Sequence, residues 1–234
     1  MQKIWGKQVL LTDGWAQDTE INIDHTGRIE SIITDTDPSG LLFDTLLPAP
    51  MNLHSHCFQR AMTGLSETSS NPSNDFWSWR EFMYKFLNNI SPDNFEAICA
   101  YAQMEMMEAG YSGLTEFHYV HNDFSGARYH EISEMSQRVL EASYLSGIGL
   151  TLLPVLYEQG GVSGSSLVSG QDRFGLNFEE FSKLFDDLNI VAKKFPDVKV
   201  GIAAHSLRAV TPRSLIKLEG QFTGHPIHIH IAEQ

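Results

Sequence analysis

Two His-x-His pairs offer the chain's most evident chemistry: His54-Ser55-His56, and His228-Ile229-His230 with Glu233 three residues beyond. In an extended strand residues two apart share a face, so each pair aims both imidazoles to one side and the intervening residue to the other. A pair of neutral imidazoles on one face is a bidentate site for a divalent cation. The same spacing also describes two surface histidines at a strand end, so the first pair needs a further ligand from elsewhere in the chain. Of the second pair, His230 is the expected third ligand, being nearer its strand's C-terminal end, and His228 reads as a deeper, core histidine. Glu233 then falls within reach of a water at the metal, placed to shuttle its proton.

Two further strand ends carry polar clusters, residues 203–208 (AAHSLR) and 116–119 (EFHY). Arg208, close to His205, offers charge-assisted donors suited to a carboxylate; an arginine on a loop also serves solubility alone. Arg80, in FWSWRE, lies in an aromatic segment. It either anchors a lid over the site or packs on Trp77 or Trp79 by cation–π contact.

The elements that must position these groups fall into two parts. Residues 1–46 read as short strands at 4–12, 15–24 and 28–34 separated by Asp13-Gly14 and His25-Thr26-Gly27 turns, a small β-layer. From residue 47 the pattern changes to strand and helix in alternation. An apolar, buried strand runs from 47 into the first histidine pair, and a loop rich in Ser, Asn and Thr follows at 66–75. Ser91-Pro92 caps and opens a helix that Gly110 closes. Strands are expected at 113–119, 148–156, 198–205 and 226–231, with helices at 127–145, after Asn177 and after Thr211-Pro212. The Gly/Ser-rich run 160–170 reads as a flexible surface connection. Five strands alternating with helices argue for a parallel sheet, and the long loops after strands favour a (β/α)8 TIM barrel over a doubly wound sheet. No G-x-G-x-x-G follows any strand, which weighs against a dinucleotide fold. In a barrel the C-terminal strand ends converge on one face, so the clusters above can meet. Only five of eight strand units are present, in 47–234, so the sequence reads as the front part of a longer protein.

Composition narrows the partners. With 16 Lys+Arg against 29 Asp+Glu, a net charge of −13 opposes nucleic acid or an anionic membrane as a partner. An anionic substrate must therefore be met by locally placed arginines. Cys57 and Cys99 form no C-x-x-C pair, which fits reduced thiols in a cytoplasmic setting. No run of about 18 apolar residues suggests a membrane span.

The motifs NLHSHCFQRAM, FWSWRE, AAHSLRAV and HIHIAEQ together resemble the amidohydrolase superfamily and, within it, the formimidoylglutamate deiminase family of histidine degradation. The resemblance covers all 234 residues. It implies a metal-dependent hydrolase, most often zinc-bearing, with a (β/α)8 barrel and a small β-sandwich to which 1–46 contribute. By it His54, His56 and His230 match metal ligands and Glu233 the acid/base residue. Gln59, Arg80, Tyr119, His205 and Arg208 match positions that hold a small dicarboxylate substrate. It also implies a histidine and a metal-binding aspartate on later strands, beyond Gln234. Departures are Pro48-Ala49-Pro50, where a Pro-Gly turn is usual, and Ala204, where a proline commonly stands. Two other readings stay open: deamination of another guanidino acid or heterocyclic amine, and a non-catalytic metal-binding fragment. A homodimer is compatible with either.

Overall fold

The structure, a computed structural model, describes residues 2–65, 76–162 and 164–232, with 76 and 77 described by their backbone alone. It divides into two compact units, Met1–Pro50 and Met51–Gln234. The expected 66–75 loop lies outside the described residues.

The first unit is a four-stranded sheet. β1 (Gln2–Leu11) and β2 (Gly14–Ile23) pair antiparallel, and β3 (Ile29–Ile33) pairs antiparallel with β2. β4 (Leu41–Leu46) adds to the other side of β1, in parallel, giving the order β3-β2-β1-β4. This fourth strand was not expected. Nearly all its side chains are exposed, so it carries no in/out alternation from which a strand could be read.

The second unit is an arc of five parallel strands, half of a barrel. β5 (Met51–Ser55), β6 (Gly113–His118), β7 (Gly149–Leu156), β9 (Ile202–Ser206) and β10 (Ile227–His230) lie in the order β10-β9-β7-β6-β5, with short β8 (Val198–Val200) also on β7. Around them stand α1 (Phe76–Leu87), α2 (Pro92–Glu108), α3 (Glu134–Ser146), α4 (Phe178–Val191) and α5 (Pro212–Gln221). The expected caps of α2, α4 and α5 are present: the side chains of Ser91, Asn177 and Thr211 accept from the amides of Asn94, Glu180 and Ser214. Each satisfies one of the amides that a helix start leaves without an intrahelical partner. β6 and β9 are buried along their whole length, as parallel strands covered on both faces must be.

Four expectations need correction. The strand entering the first histidine pair starts at Met51, not at residue 47, because Pro48 and Pro50 have no amide hydrogen for a ladder. That strand is outermost in the arc, and Met51, Leu53 and His54 are exposed. The single strand 198–205 is two pieces meeting at Gly201, where a Cβ would lie 2.6 Å from Leu153 Cδ2 and 2.8 Å from the Pro226 carbonyl oxygen. The helix expected at 127–145 begins at Glu134. The preceding segment opens with a turn in which Asp123 Oδ1 accepts the amides of Ser125 and Ala127. Finally, the 160–170 run carries internal backbone hydrogen bonds, Gly160 N to Ser165 O and Gly164 N to Gly161 O, and its end packs on an aromatic ring. At Gly170, φ is +95° and a Cβ would lie 2.6 Å from the Tyr84 ring, so only glycine fits both the backbone and the space. Among the described residues no helix is long and apolar enough to cross a membrane.

Candidate functional site

The C-terminal ends of the arc strands surround a cavity of about 350 Å³ lined by, among others, His56, Gln59, Arg80, Tyr119, His205, Arg208 and His230. Seven of the residues singled out in the sequence thus meet at one opening.

At one end, three imidazoles converge. His54 Nε2 lies 3.1 Å from His56 Nε2 and 3.2 Å from His230 Nε2. Alternation along β5 and parallel packing across the arc bring this about: His54 and His56 share a face, and β10 delivers His230 from the far edge. His56 Nδ1 stands 2.9 Å from the Phe117 carbonyl oxygen. A carbonyl only accepts, so the hydrogen sits on Nδ1 and the Nε2 lone pair faces the other two rings. Burial, reinforced by the neighbouring histidines, drives the His56 pKa down to about 3, and burial also lowers His54. Neutral rings with converging lone pairs are what a cation requires. Two nitrogen ligands about 2.0–2.1 Å from a tetrahedral zinc stand about 3.3 Å apart, close to the spacings observed. The donor set therefore fits one divalent cation held by His54, His56 and His230, the group of metal-capable side chains that converges among the described residues.

Behind these rings β6 grips the histidine turn. Glu116, fully buried, accepts the Cys57 amide at 2.8 Å through Oε1, while the next residue, Phe117, supplies the carbonyl to His56. Burial raises the Glu116 pKa. The sequence places Glu116 in a polar strand-end cluster but gives it no role, because an acidic residue in a strand has no spacing signal for its partner.

The rest of the cavity lining is basic and aromatic, and part of it touches the histidines: the His205 ring lies 5.1 Å from that of His230, and the Tyr119 ring 5.1 Å from that of His56. Arg80, on α1, lies 5.6 Å over the Tyr84 ring, whose phenol burial pushes up to about 12. Arg208 Nη1 donates to Tyr157 Oη at 3.0 Å. Gln59 Nε2 donates to Tyr119 Oη at 2.9 Å. His205, almost fully buried and with its pKa held well below normal by burial, packs edge-on to Tyr157 and Tyr119 with centroids 4.6 and 5.5 Å away. Tyr157, Tyr84 and Phe174 escaped notice in the sequence, being aromatic residues without motif context. His228, on β10, is partly buried and is not among the converging imidazoles. Glu233 lies outside the described residues.

No family model matches the chain. It is 41% identical over 239 aligned residues to formimidoylglutamate deiminase of Pseudomonas aeruginosa, an alignment covering 100% of this chain and 52% of that protein. The crystal structure of an amidohydrolase from Brucella melitensis superposes with a TM-score of 0.93 at 39% identity, over 100% of this chain and 52% of that one. A zinc-bound adenosine deaminase from Xanthomonas campestris shares the fold at a TM-score of 0.67 and 14% identity, over 98% and 48% of the two chains. The chain spans about half the length of the relatives it matches.

Proposed function

Since the chain belongs to the amidohydrolase superfamily, we propose that it forms the front half of the active site of a metal-dependent hydrolase. The reaction cleaves the terminal C–N bond of the formimino group of N-formimidoyl-L-glutamate. Water adds its oxygen to the formimino carbon, ammonia leaves, and N-formyl-L-glutamate remains. The observation that carries this reading is a single cavity with three convergent imidazoles at one end and two arginines lining it as well.

A divalent cation, most simply zinc, when bound supplies Lewis acidity that polarises water and the C=N group. His54, His56 and His230 would hold it. Glu233, as a carboxylate, takes the proton from water and returns it to the departing nitrogen. Arg80 and Arg208 engage the two carboxylates, with Gln59, Tyr119 and His205 lining the space between, so that binding energy becomes orientation of the formimino carbon. The arginines resolve the problem set by the net charge of −13: repulsion from an acidic protein is overcome locally. A neutral heterocycle such as guanine would give them nothing to neutralise. The same reading places the protein in cytoplasmic histidine degradation.

The test is ammonia release from N-formimidoyl-L-glutamate, guanine and a triazine, together with zinc per chain. Turnover of the formimino diacid alone supports the proposal, and turnover of a neutral base in its place contradicts it. Because the chain spans half the length of its relatives, a second reading is a metal-binding but non-catalytic chain; bound zinc without ammonia from any substrate supports that one.

A further inference from the structure

We propose that Tyr157 is a substrate-binding residue, its hydroxyl donating to the carboxylate that Arg208 holds. The inference rests on the dicarboxylate reading and goes beyond it by assigning a donor that neither the motifs nor the comparisons supply.

The argument is one of hydrogen-bond valence. Tyr157 Oη receives two donors, Arg208 Nη1 and Gln171 Nε2, each at 3.0 Å. Neither nitrogen can accept: a guanidinium has no lone pair to offer and an amide NH2 only donates. The orientation of the Gln171 amide is set independently, because its Oε1 takes the Val168 amide hydrogen at 3.0 Å; a flipped amide would oppose two donors. Both lone-pair directions of the phenol oxygen are thus occupied by incoming hydrogens. Its own hydrogen has no acceptor among these partners and must point elsewhere.

The cavity is where it can go. Tyr157 lines the same opening as Arg208, His205 and Arg80, although its side chain is almost wholly buried. The ring is wedged edge-on to His205 and against Phe174, centroids 4.6 and 5.6 Å away, so the position of the hydroxyl oxygen is fixed. The Arg208 backbone is fixed by the same segment, since Gln159 Nε2 donates to its carbonyl at 3.2 Å. Arg208 and Tyr157, hydrogen-bonded to each other, can therefore both donate to one anion in the cavity. An ionised oxygen accepts from such a pair more strongly than a neutral one, which makes Tyr157 a determinant of selectivity for a carboxylate over its amide.

Titration calorimetry of N-formyl-L-glutamate, with steady-state kinetics on N-formimidoyl-L-glutamate, tests this. Tyr157→Phe keeps the ring packing and removes the hydrogen; binding should weaken by roughly tenfold, as expected for one hydrogen bond to a charged group, with KM rising and kcat nearly unchanged. Gln171→Glu keeps the hydroxyl but gives its hydrogen a carboxylate to bond, and should produce a similar loss. The double variant should be no worse than either single one, because both remove the same hydrogen bond. Unchanged binding by Tyr157→Phe, wild-type binding by Gln171→Glu, or additive losses would each overturn the assignment. If the wild-type protein does not bind N-formyl-L-glutamate at all, the dicarboxylate reading itself fails; normal wild-type binding with an insensitive Tyr157→Phe removes only this inference.

Discussion

The two sets of side chains at the cavity, the histidine end and the arginine end of the proposed site, are built by different means. The histidine end is local in origin: two of its three imidazoles come from one tripeptide, and their aim follows from strand alternation. The arginine end is assembled over distance. Arg208 is held by Tyr157, 51 residues away in sequence, and Tyr157 by Gln171, 14 away. The helix carrying Arg80 is tied at its end by Arg173, whose buried guanidinium donates to the Leu87, Ile90 and Asn122 carbonyls. In the proposed reading the histidine end would suit any metal-dependent hydrolase of the fold, whereas the arginine end, fixed by loop side chains, would confer choice of substrate. Loops tolerate change that strands do not, so new substrates should arise through the second end.

The largest expected effect comes from the first end. His56→Ala should lose metal affinity by more than the roughly 10–100-fold that loss of an outer hydrogen-bond partner costs, while N-formyl-L-glutamate binding falls far less; metal content after dialysis and calorimetry read the two separately. A comparable collapse of both would join what the comparison separates. Arg208→Ala should do the reverse, raising KM for the diacid by roughly 10–100-fold and sparing zinc content. An equal loss on an analogue without carboxylates would remove Arg208 from substrate binding.

Arg173→Met acts through the scaffold of the second end. It leaves three carbonyls without their buried donor and should destabilise the protein by about 2–4 kcal/mol, with a rise in KM as α1 loses its tether; denaturant unfolding and kinetics check it. The smallest effect belongs to Glu116. Glu116→Leu strips the buried Cys57 amide of its acceptor, a cost of about 1–3 kcal/mol, and should weaken cobalt binding. Glu116→Gln keeps an acceptor oxygen and should bind cobalt nearly as the wild type does.

This division also accounts for what could be read in the sequence. His54, His56 and His230 were legible because period two is a property of any strand, and the caps at Ser91, Asn177 and Thr211 because their chemistry is confined to one helical turn. β4 was not, having no buried face to pattern it. The start of β5 was misjudged because an apolar run can be interrupted by prolines without losing its hydrophobicity. Tyr157, Gln171, Arg173 and Glu116 carry no local signal; each matters through partners that only the folded arc brings near.

The proposed site is one cavity with a cation at its histidines and a dicarboxylate at its arginines. The most direct test is a crystal structure of the purified protein with zinc and N-formyl-L-glutamate, phased on the zinc anomalous signal. The account predicts a zinc peak bonded to the Nε2 atoms of His54, His56 and His230, with ligand carboxylates on Arg80 and Arg208. Zinc bound elsewhere, or a ligand whose carboxylates avoid both arginines, would contradict it.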